Sequence, residues 1–308
     1  ARRRTIAGRR PHVAKTSLSV VIPTRDRRDV LEMCLRALEA ADDCAGPFEV
    51  VVVDDGSRDG TSRMLATLAP TRFRLEAVEA PPRGPAAARN EGIRLARGER
   101  VLLLGDDTFP ESGALGAHAR FGDGDVGVQG LIEWDENVGV TPVMRFLAPE
   151  GPQFYFRGLV DGARMEFWRV CASNFSAPRR WFLEEPFDEG FPDAAFEDTE
   201  AARRWVRRGG RFVFSTKAVC RHHHRYDSLA PFLERQRRAG RAARYAVGKH
   251  PALAWRALLQ PALAGAVTVA KSALGRLSGP LEPERTWDLA CRRAYLAGFL
   301  LPGPGLEL

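Results

Sequence analysis

Residues 101–107 read Val-Leu-Leu-Leu-Gly-Asp-Asp, an apolar run that ends in two adjacent carboxylates. An uninterrupted apolar run of this length is typical of a strand buried on both faces. Two carboxylates at its end repel each other and lose solvation unless a cation or hydrogen bonds compensate. A divalent metal that also binds a diphosphate would do so, because Mg²⁺ takes one or two carboxylates together with substrate phosphates. The alternative is a helix N-cap, with Asp107 or Thr108 capping a helix near Ser112.

Strands and helices alternate around this run. Apolar strands are predicted at 18–22, 50–53, 73–78 and 101–104, and helices at 28–41, 60–68 and 85–96. This alternation indicates an α/β fold with a parallel, doubly wound sheet and flanking helices. Ligands of such sheets bind beyond the carboxyl ends of the strands. Polar and acidic residues follow three of these strands, at 23–26, 54–57 and 105–107, and predict a site there.

Beyond residue 125 the alternation loosens. Strands are predicted at 126–132, 170–176 and 211–219, a helix at 197–208, and a Gly/Pro-rich loop at 135–164. From residue 229 the pattern is helical, with breaks at Pro251, Pro261 and Pro280. We therefore predict three parts: a basic tail at 1–16, an α/β domain at 17–228 and a helical region at 229–308.

The composition is that of an ordinary globular chain. Its 308 residues are 44% hydrophobic and 28% charged, which excludes collagen-like, low-complexity and wholly disordered classes. The net charge is +7 and only four of the 46 basic residues are lysine. Arginine binds phosphate in a bidentate manner, so we expect a phosphate-bearing ligand. Nucleic acid is not expected as a partner, because the basic residues concentrate in two segments.

Five scattered cysteines without a C-x-x-C pair favour neither a zinc knuckle nor a disulfide framework, so a cytoplasmic location is expected. No secretory signal follows the basic start. The apolar stretch Ala257 to Ala270 is shorter than the ~20 residues that span a bilayer. We expect a protein that is soluble or lies peripherally on the inner face of the cell membrane.

Two segments concentrate the positive charge. Residues 1–10 hold five arginines and are typical of a mobile tail, either a solvated arm or a contact to anionic lipid. Residues 235–256 hold seven basic side chains and no acid, and Trp255 and an apolar stretch follow. An anionic membrane surface would bind a helix of this composition. A solvated basic face packed on the core is the alternative.

Three further groups of residues could carry chemistry. Asp54-Asp55 could accept a hydrogen bond from a nucleobase or could form an Asx and Gly turn. Arg89 lies near a helix N-terminus, where a cation is unfavourable unless it binds an anion such as a diphosphate, or pairs with Asp54, Asp55 or Glu91. The acids Glu197 and Asp198 begin a predicted helix, where they could serve the helix dipole or a general base.

Three consecutive histidines follow the last predicted strand. His222 and His224 would share a face of that strand. One of them could complete a metal site, and imidazole suits Mn²⁺ or Zn²⁺ better than Mg²⁺. The alternative is a cluster that faces solvent.

Four motifs follow one another in an order that resembles a known family. They are Val-Ile-Pro-Thr-Arg-Asp at 21–26, Val-Val-Val-Asp-Asp-Gly-Ser at 51–57, Ala-Arg-Asn-Glu-Gly at 88–92 and Leu-Leu-Gly-Asp-Asp at 103–107. Together they resemble glycosyltransferase family 2, whose fold is GT-A, over about residues 17–225. The resemblance implies a nucleotide-binding half near 17–122, an acceptor half near 123–228 and a nucleotide-sugar donor.

The resemblance also assigns residues to roles. On the donor side it places Pro23, Thr24, Arg25, Asp26, Asp55, Arg83, Arg89 and Asp106. Asp107, with His224, would hold the metal, Mg²⁺ or Mn²⁺. Gly105 stands where the family's acidic D-x-D motif has its first aspartate, so only an Asp-Asp pair survives here. Asn174 is expected on the acceptor side. The aromatic-acid-acid motif at 196–198 implies Glu197 and Asp198 as catalytic acids, with Asp198 as the base.

The mechanism that this implies is a single displacement with inversion, in which Asp198 deprotonates an acceptor hydroxyl. A UDP-sugar is the default donor, and a glycan, a lipid-linked molecule or a small molecule is the acceptor. A sugar nucleotidyltransferase would need a Gly-rich basic loop after the first strand, and residues 23–26 contain no glycine. A non-catalytic, membrane-associated binding module is the second alternative. Retention of the four acids at 106–107 and 197–198 argues against it.

Overall fold

A computed structural model of the chain describes residues 4–8, 17–41, 46–266 and 283–301. The chain divides into two compact units. The first comprises Ala1–Val140, Ala148–Glu189 and Asp198–His224, and the second comprises Thr141–Leu147, Gly190–Glu197 and Arg225–Leu308. Cys44, Pro280, the arginines at positions 2, 3, 9 and 10 of the predicted tail, and the last part of the predicted apolar stretch, 267–270, lie outside the described residues.

The first unit contains a ten-stranded sheet flanked by helices. Its strands are β1 (Arg4–Gly8), β2 (Leu18–Thr24), β3 (Phe48–Asp54), β4 (Arg74–Glu79), β5 (Arg100–Leu104), β6 (Thr108–Pro110), β7 (Val126–Trp134), β8 (Arg164–Met165), β9 (Asn174–Pro178) and β10 (Arg211–His222). Its helices are α1 (Arg28–Ala40), α2 (Thr61–Thr67), α3 (Pro85–Leu95), α4 (Ala114–Ala119), α6 (Arg179–Glu184) and α7 (Glu197–Arg207); α5 (Pro142–Leu147) belongs to the second unit.

The sheet order is β1-β4-β3-β2-β5-β9-β7-β10-β6, and β8 pairs with β10. Strands β4, β3, β2 and β5 run parallel to one another, and β10 runs parallel to β7. Strand β9 is antiparallel to both of its neighbours, β5 and β7. This confirms the predicted α/β fold with a mostly parallel sheet and flanking helices.

The buried strands explain why the sequence pattern is so clear in this unit. Every residue of β3 and every residue of β5 is buried, so both read as continuous apolar runs. Helix α1 buries the side that carries Leu31, Leu35 and Leu38 against this sheet, at helical spacing. Because β2, β3 and β5 run parallel, the polar residues at or just after their carboxyl ends lie at one edge of the sheet.

Three predictions about local structure need correction. Residues 4–8, predicted as part of a mobile tail, form β1, which pairs antiparallel with β4. The segment 135–164, predicted as a loop, contains a 3₁₀ turn at Glu136–Val138 and helix α5. The strand predicted from residue 170 begins at Asn174, because residues 172–173 form a turn in which the N–H of Asn174 donates to the carbonyl of Cys171.

The second unit is helical in its described part. Besides α5 it contains α8 (Ala230–Lys249), a 3₁₀ turn (Pro251–Leu253), a π-helix (Trp255–Leu259) that continues as helix over 260–266, and α9 (Pro283–Leu300). Ala243, Ala257 and Phe299 form its small apolar core. Across the ranges that the structure describes, no helix is both long and apolar enough to cross a lipid bilayer.

Two glycines allow α8 and α9 to approach closely. A Cβ atom at Gly298 would overlap the carbonyl oxygen of Arg237, and one at Gly240 would overlap that of Tyr295. We therefore expect Gly298→Ala to lower the free energy of unfolding by about 2 to 3 kcal/mol, as overpacking does. Urea unfolding followed by circular dichroism measures this.

Gly248→Ala is the matched control for this prediction. Gly248 also lies in α8, but nothing approaches within 4 Å of a Cβ added there. Alanine is the better helix former, so this variant should gain up to about 1 kcal/mol. Equal stability of the two variants would contradict the close packing of α8 and α9.

Candidate active site at the carboxyl ends of the strands

Asp106 and Asp107, hereafter the acidic pair, are held by groups from the neighbouring loop. Only 6% and 9% of their surfaces are exposed. Thr24, the last residue of β2, donates its hydroxyl to Oδ2 of Asp106 over 2.8 Å. The guanidinium of Arg27 spans the pair, with Nε 3.4 Å from Oδ1 of Asp106 and Nη2 2.8 Å from Oδ2 of Asp107. The compensation that the buried carboxylates require is therefore supplied by the chain itself.

The two carboxyl groups respond differently to this environment. Burial, assisted by the charge of Asp107, raises the pKa of Asp106 to about 6 against the opposing effect of Arg27. Burial also acts to raise the pKa of Asp107, but charge and hydrogen bonding from His222 and Arg27 lower it well below its usual value. The acidic pair thus keeps negative charge in a buried position, which makes it a site for a cation.

The histidine cluster reaches this position because β10 pairs with β6, the strand that follows the acidic pair. Nε2 of His222 lies 3.3 Å from Oδ2 of Asp107, and its Nδ1 is buried without a hydrogen-bond partner in the described part of the chain. The ring of His224 stacks on that of His222 at 5.6 Å. His223 turns to Asp135, with Nδ1 2.7 Å from Oδ2. The imidazole of His222 therefore contacts the acidic pair, and His224, predicted as a metal ligand, stacks on it.

The helix N-cap alternative for the acidic pair does not hold. Thr108 begins strand β6, and α4 starts only at Ala114. The N-cap of α4 is Gly113, and no side chain caps it.

The two acids that end β3 have different tasks. Oδ1 of Asp54 accepts the N–H of Ser57 over 2.8 Å, which is the predicted Asx turn. The carboxylate of Asp55 accepts the N–H groups of Arg83 and Gly84 over 2.8 and 2.9 Å. Asp55 therefore fixes the loop that leads into α3 beside the end of β3.

The loop after β2 is bonded to the loop after β3. Asp26 has a left-handed φ of 50°, which an aspartate tolerates and which turns the chain toward α1. Its N–H donates to the hydroxyl of Ser57 over 2.8 Å, and its Oδ1 accepts the N–H of Arg58 over 2.7 Å. Arg25 is half exposed, with Nε 3.8 Å from Oδ2 of Asp26, and Pro23 lies within β2. The predicted donor residues of these two loops are thus neighbours.

Of the three arginines predicted on the donor side, Arg83 and Arg89 both contact the segment at 187–189. The guanidinium of Arg89 lies over the ring of Phe187, 5.6 Å from its centre. Nη1 of the half-exposed Arg83 lies 3.2 Å from Oε2 of Glu189. Asn90 fixes this segment, because its carboxamide bonds both the N–H and the carbonyl of Phe187.

Asp198 is tied to the acidic pair through two backbone positions. Its Oδ2 accepts the N–H of Ala172 over 3.3 Å. The carbonyl of the following residue, Ser173, accepts the N–H of Gly105 over 3.2 Å. Asp198 therefore lies at the same edge of the sheet as the acidic pair and is partly exposed there. Glu197 precedes it at the start of α7 and is 5% exposed.

Asn174, predicted on the acceptor side, lies in the core instead. It is fully buried. Its Nδ2 donates to the carbonyls of Leu131 and Ala218 over 3.1 and 2.8 Å, and its Oδ1 lies 2.9 Å from Nε2 of His118. Burial lowers the pKa of His118 to about 4, so that ring is neutral. The Asn174 carboxamide joins three strands and a helix, and none of its polar atoms is left for an acceptor.

The sequence analysis missed Arg27, which contacts the acidic pair most directly. The signal was available, because an arginine directly before α1 opposes the helix dipole in the same way as Arg89. Its partners lie 79 and 80 positions along the chain, so the contact depends on the parallel pairing of β2 with β5.

Residues 19–144 match the model of the family described as glycosyl transferase family 2. The glycosyltransferase AglE of Haloferax volcanii is 31% identical over 132 residues, which are 42% of this chain and 43% of AglE. The chain spans less than half the length of the curated relatives that it matches.

Two solved structures resemble the chain as a whole. One is the mannosyltransferase PcManGT from Pyrobaculum calidifontis in complex with GDP-Man and Mn²⁺, with a TM-score of 0.64, 19% identity, and coverage of 92% of this chain and 86% of that one. The other is S. aureus TarS 1-349 in complex with UDP-GlcNAc, with a TM-score of 0.56, 18% identity, and coverage of 92% and 72%. These likenesses confirm the predicted GT-A fold.

Replacing Asn174 tests its place in the core. We expect Asn174→Ala to lower the free energy of unfolding by about 3 kcal/mol or more, because it leaves two buried carbonyls and an imidazole nitrogen unpaired. Urea unfolding measures this. In the control Asn137→Ala, an exposed side chain that bonds only Asp135 is removed, and the loss should stay below about 1 kcal/mol. Undiminished stability of Asn174→Ala would return this residue to the acceptor side.

Proposed function

We propose that this chain, whose residues 19–144 match the model of glycosyl transferase family 2, is an inverting glycosyltransferase. It moves a sugar from a nucleotide-diphosphate-sugar to a hydroxyl group of an acceptor. The observation that carries this proposal is the arrangement at one edge of the sheet. A buried acidic pair and a partly exposed carboxylate, Asp198, are joined there through the backbone at 172–173.

The residues at the acidic pair fit a divalent metal ion. Carboxylate oxygens suit Mg²⁺ and Mn²⁺, and a neighbouring imidazole favours Mn²⁺. Asp107 would hold the ion, with His222 or, as predicted from the sequence, His224 as a further ligand. In the described part of the chain no three His, Cys, Asp or Glu side chains surround one point, so the donor diphosphate would complete the coordination. A bound metal supplies positive charge against the departing nucleoside diphosphate.

Asp198 acts as the general base. Its carboxylate takes the proton of the acceptor hydroxyl as that oxygen forms a bond to the anomeric carbon. The bond from this carbon to the diphosphate oxygen breaks on the opposite face, so the nucleoside diphosphate leaves and the configuration inverts. Asp55 and the loops at 23–26 and 83–84 bind the nucleoside, and Arg83 and Arg89 bind its diphosphate. Glu197, at the start of α7, assists Asp198 in catalysis.

The similar proteins reduce the number of candidate donors and acceptors. PcManGT was solved with GDP-Man and TarS with UDP-GlcNAc. UDP-sugars are therefore the first donors to assay, and GDP-sugars the second. A poly(ribitol-phosphate) beta-glucosyltransferase of Bacillus spizizenii is among the relatives. We therefore favour a glycan or a lipid-linked acceptor over a small molecule.

Replacing Asp198 tests the proposed function. Asp198→Asn keeps the size and the acceptor oxygen of the side chain but removes its basicity. We expect the rate of sugar transfer to fall by at least about a hundredfold, the scale of general base catalysis. Binding of the nucleotide with Mn²⁺, measured as a thermal shift against UDP, GDP, dTDP and CDP, should persist.

The control for this experiment is Asp29→Asn. Asp29 is also an acid at the start of a helix. Its side chain is 80% exposed and pairs with the neighbouring Arg28. Its activity should equal that of the wild type. The proposal fails if no nucleotide shifts the melting temperature of the wild type with metal present.

We further propose that the second unit docks on an anionic membrane surface. Trp255, Leu259 and Leu263 recur at every fourth position of the helical segment 254–266, and they are 60%, 47% and 54% exposed. Ala257 in the same segment faces the small core. A helix with one apolar side in solvent and one side packed is typical of interfacial binding.

The charge of this unit complements an anionic leaflet. Seven basic residues and no acid lie between 235 and 256, and three of the arginines, at positions 235, 237 and 238, are exposed on α8. Basic side chains near the surface contribute about 1 kcal/mol each to binding of an anionic membrane. The cytoplasmic leaflet is the anionic one, so this surface would hold the protein at the inner face.

Vesicle sedimentation tests this surface. Wild-type protein should sediment with vesicles of phosphatidylglycerol and phosphatidylcholine but not with phosphatidylcholine alone. Replacing Trp255, Leu259 and Leu263 together by serine should weaken binding at least about tenfold, since each buried apolar side chain contributes about 1.5 kcal/mol or more. The control replaces three equally exposed apolar residues of the first unit, Met33, Val160 and Leu183, by serine. Equal loss in both triple variants would refute the surface.

A further inference from the structure

Arg27 occupies the outward oxygens of the acidic pair. Oδ2 of Asp106 is taken by the hydroxyl of Thr24, and Oδ1 of Asp107 lies 3.3 Å from the hydroxyl of Thr108. The two remaining oxygens, Oδ1 of Asp106 and Oδ2 of Asp107, are those that the guanidinium of Arg27 spans, and Nε2 of His222 also lies 3.3 Å from Oδ2 of Asp107. A cation that binds both of these oxygens must therefore displace Arg27.

Because of its position in the chain, the positive charge of Arg27 is stabilised mainly by its contact with the acidic pair. It is the N-cap residue of α1 and makes no capping hydrogen bond with its side chain. A positive charge there opposes the helix dipole. Burial likewise acts to lower the pKa of Arg27, but Asp107 and Asp106 together raise it. The charge is thus held in place by the acidic pair rather than by the helix.

Arg27 is also partly exposed. Its side chain is 38% exposed, whereas those of Asp106 and Asp107 are 9% and 12% exposed. An arginine has several rotatable bonds, and its planar fork matches phosphate as well as carboxylate. A metal ion bound with a diphosphate brings both a replacement for Arg27 at the carboxylates and a new anionic partner for it.

We propose that Arg27 is a resident counter-cation of the acidic pair, which excludes a divalent metal until the donor diphosphate arrives and then transfers to that diphosphate. This inference rests on the proposed function, because it takes a nucleotide with its metal as the ligand. Its consequence is that metal and nucleotide bind together. Metal alone binds weakly, since it must displace a guanidinium whose anionic partners, within the residues that the structure describes, are Asp106 and Asp107.

The test measures metal binding without any turnover. Free Mn²⁺ is titrated with the 308-residue chain and followed by electron paramagnetic resonance, with and without UDP or GDP. Arg27→Gln removes the charge while keeping a polar side chain of similar reach. We expect this variant to bind Mn²⁺ alone at least tenfold more tightly than the wild type and to bind the nucleotide with Mn²⁺ more weakly. Arg27→Lys keeps one positive charge and should exclude Mn²⁺ much as the wild type does.

Arg28→Gln is the matched control. Arg28 is the adjacent arginine, and its side chain pairs with Asp29 on the surface. This variant should bind Mn²⁺ and nucleotide as the wild type does. If Arg27→Gln is less stable, Mn²⁺ alone should restore its melting temperature, a rescue that loss of a merely structural contact would not give.

Two results are decisive. If the wild type binds Mn²⁺ with nucleotide but Arg27→Gln does not bind Mn²⁺ alone more tightly, the inference is overturned while the proposed function stands. If neither protein binds Mn²⁺ with any nucleotide, the metal-dependent function fails and the inference fails with it.

Discussion

Two negative charges placed side by side at the end of a strand that is buried on every residue are the constraint on which this site depends. Asp106 and Asp107 cannot be solvated there, and each raises the free energy of ionising the other. The chain compensates them from several directions, with a hydroxyl from β2, a guanidinium from the start of α1 and an imidazole from the end of β10. Loss of any of these would leave buried charge unpaired, so the acidic pair determines how the surrounding loops are arranged.

The sheet topology makes this compensation geometrically available. Parallel pairing of β2 with β5 brings Thr24 and Arg27 beside residues some eighty positions later. The antiparallel strand β9 then lies against β5, so that Ser173 bonds Gly105 and the preceding residue bonds Asp198. Finally β10 runs parallel to β7 and pairs with β6, which places its last residue, His222, beside Asp107. Hydrogen-bonded strand neighbours, rather than one loop, therefore bring the acids, the cation and the candidate base together.

Local sequence patterns predicted the features that depend on local sequence, namely the buried strands and the acids that follow them. The strands 18–22, 50–53 and 101–104 were found because burial on both faces leaves a continuous apolar run, and the acids after them were expected at one edge because parallel strands end together. Sequence could not decide which polar side chain turns inward. Asn174 has the composition of a site residue, yet its amide satisfies carbonyls inside the sheet. Arg27 looks like a surface arginine at a helix start, and only long-range pairing gives it a partner. Residues 4–8 likewise form a strand through pairing with β4.

The glycine that replaces the first acid of the expected motif is explained by the same packing. A Cβ atom at Gly105 would lie 2.7 Å from the hydroxyl of Thr108 and 3.1 Å from Oδ1 of Asp107. A side chain added there would therefore require the side chain of Thr108 to shift. A third carboxylate at this point would also add negative charge beside two buried carboxylates. With glycine in that place, the positive charge of Arg27 compensates the two carboxylates, and the strand end stays buried. Arg27 is partly exposed, so in the exchange that we propose a metal ion that arrives with a diphosphate would take its place at the carboxylates.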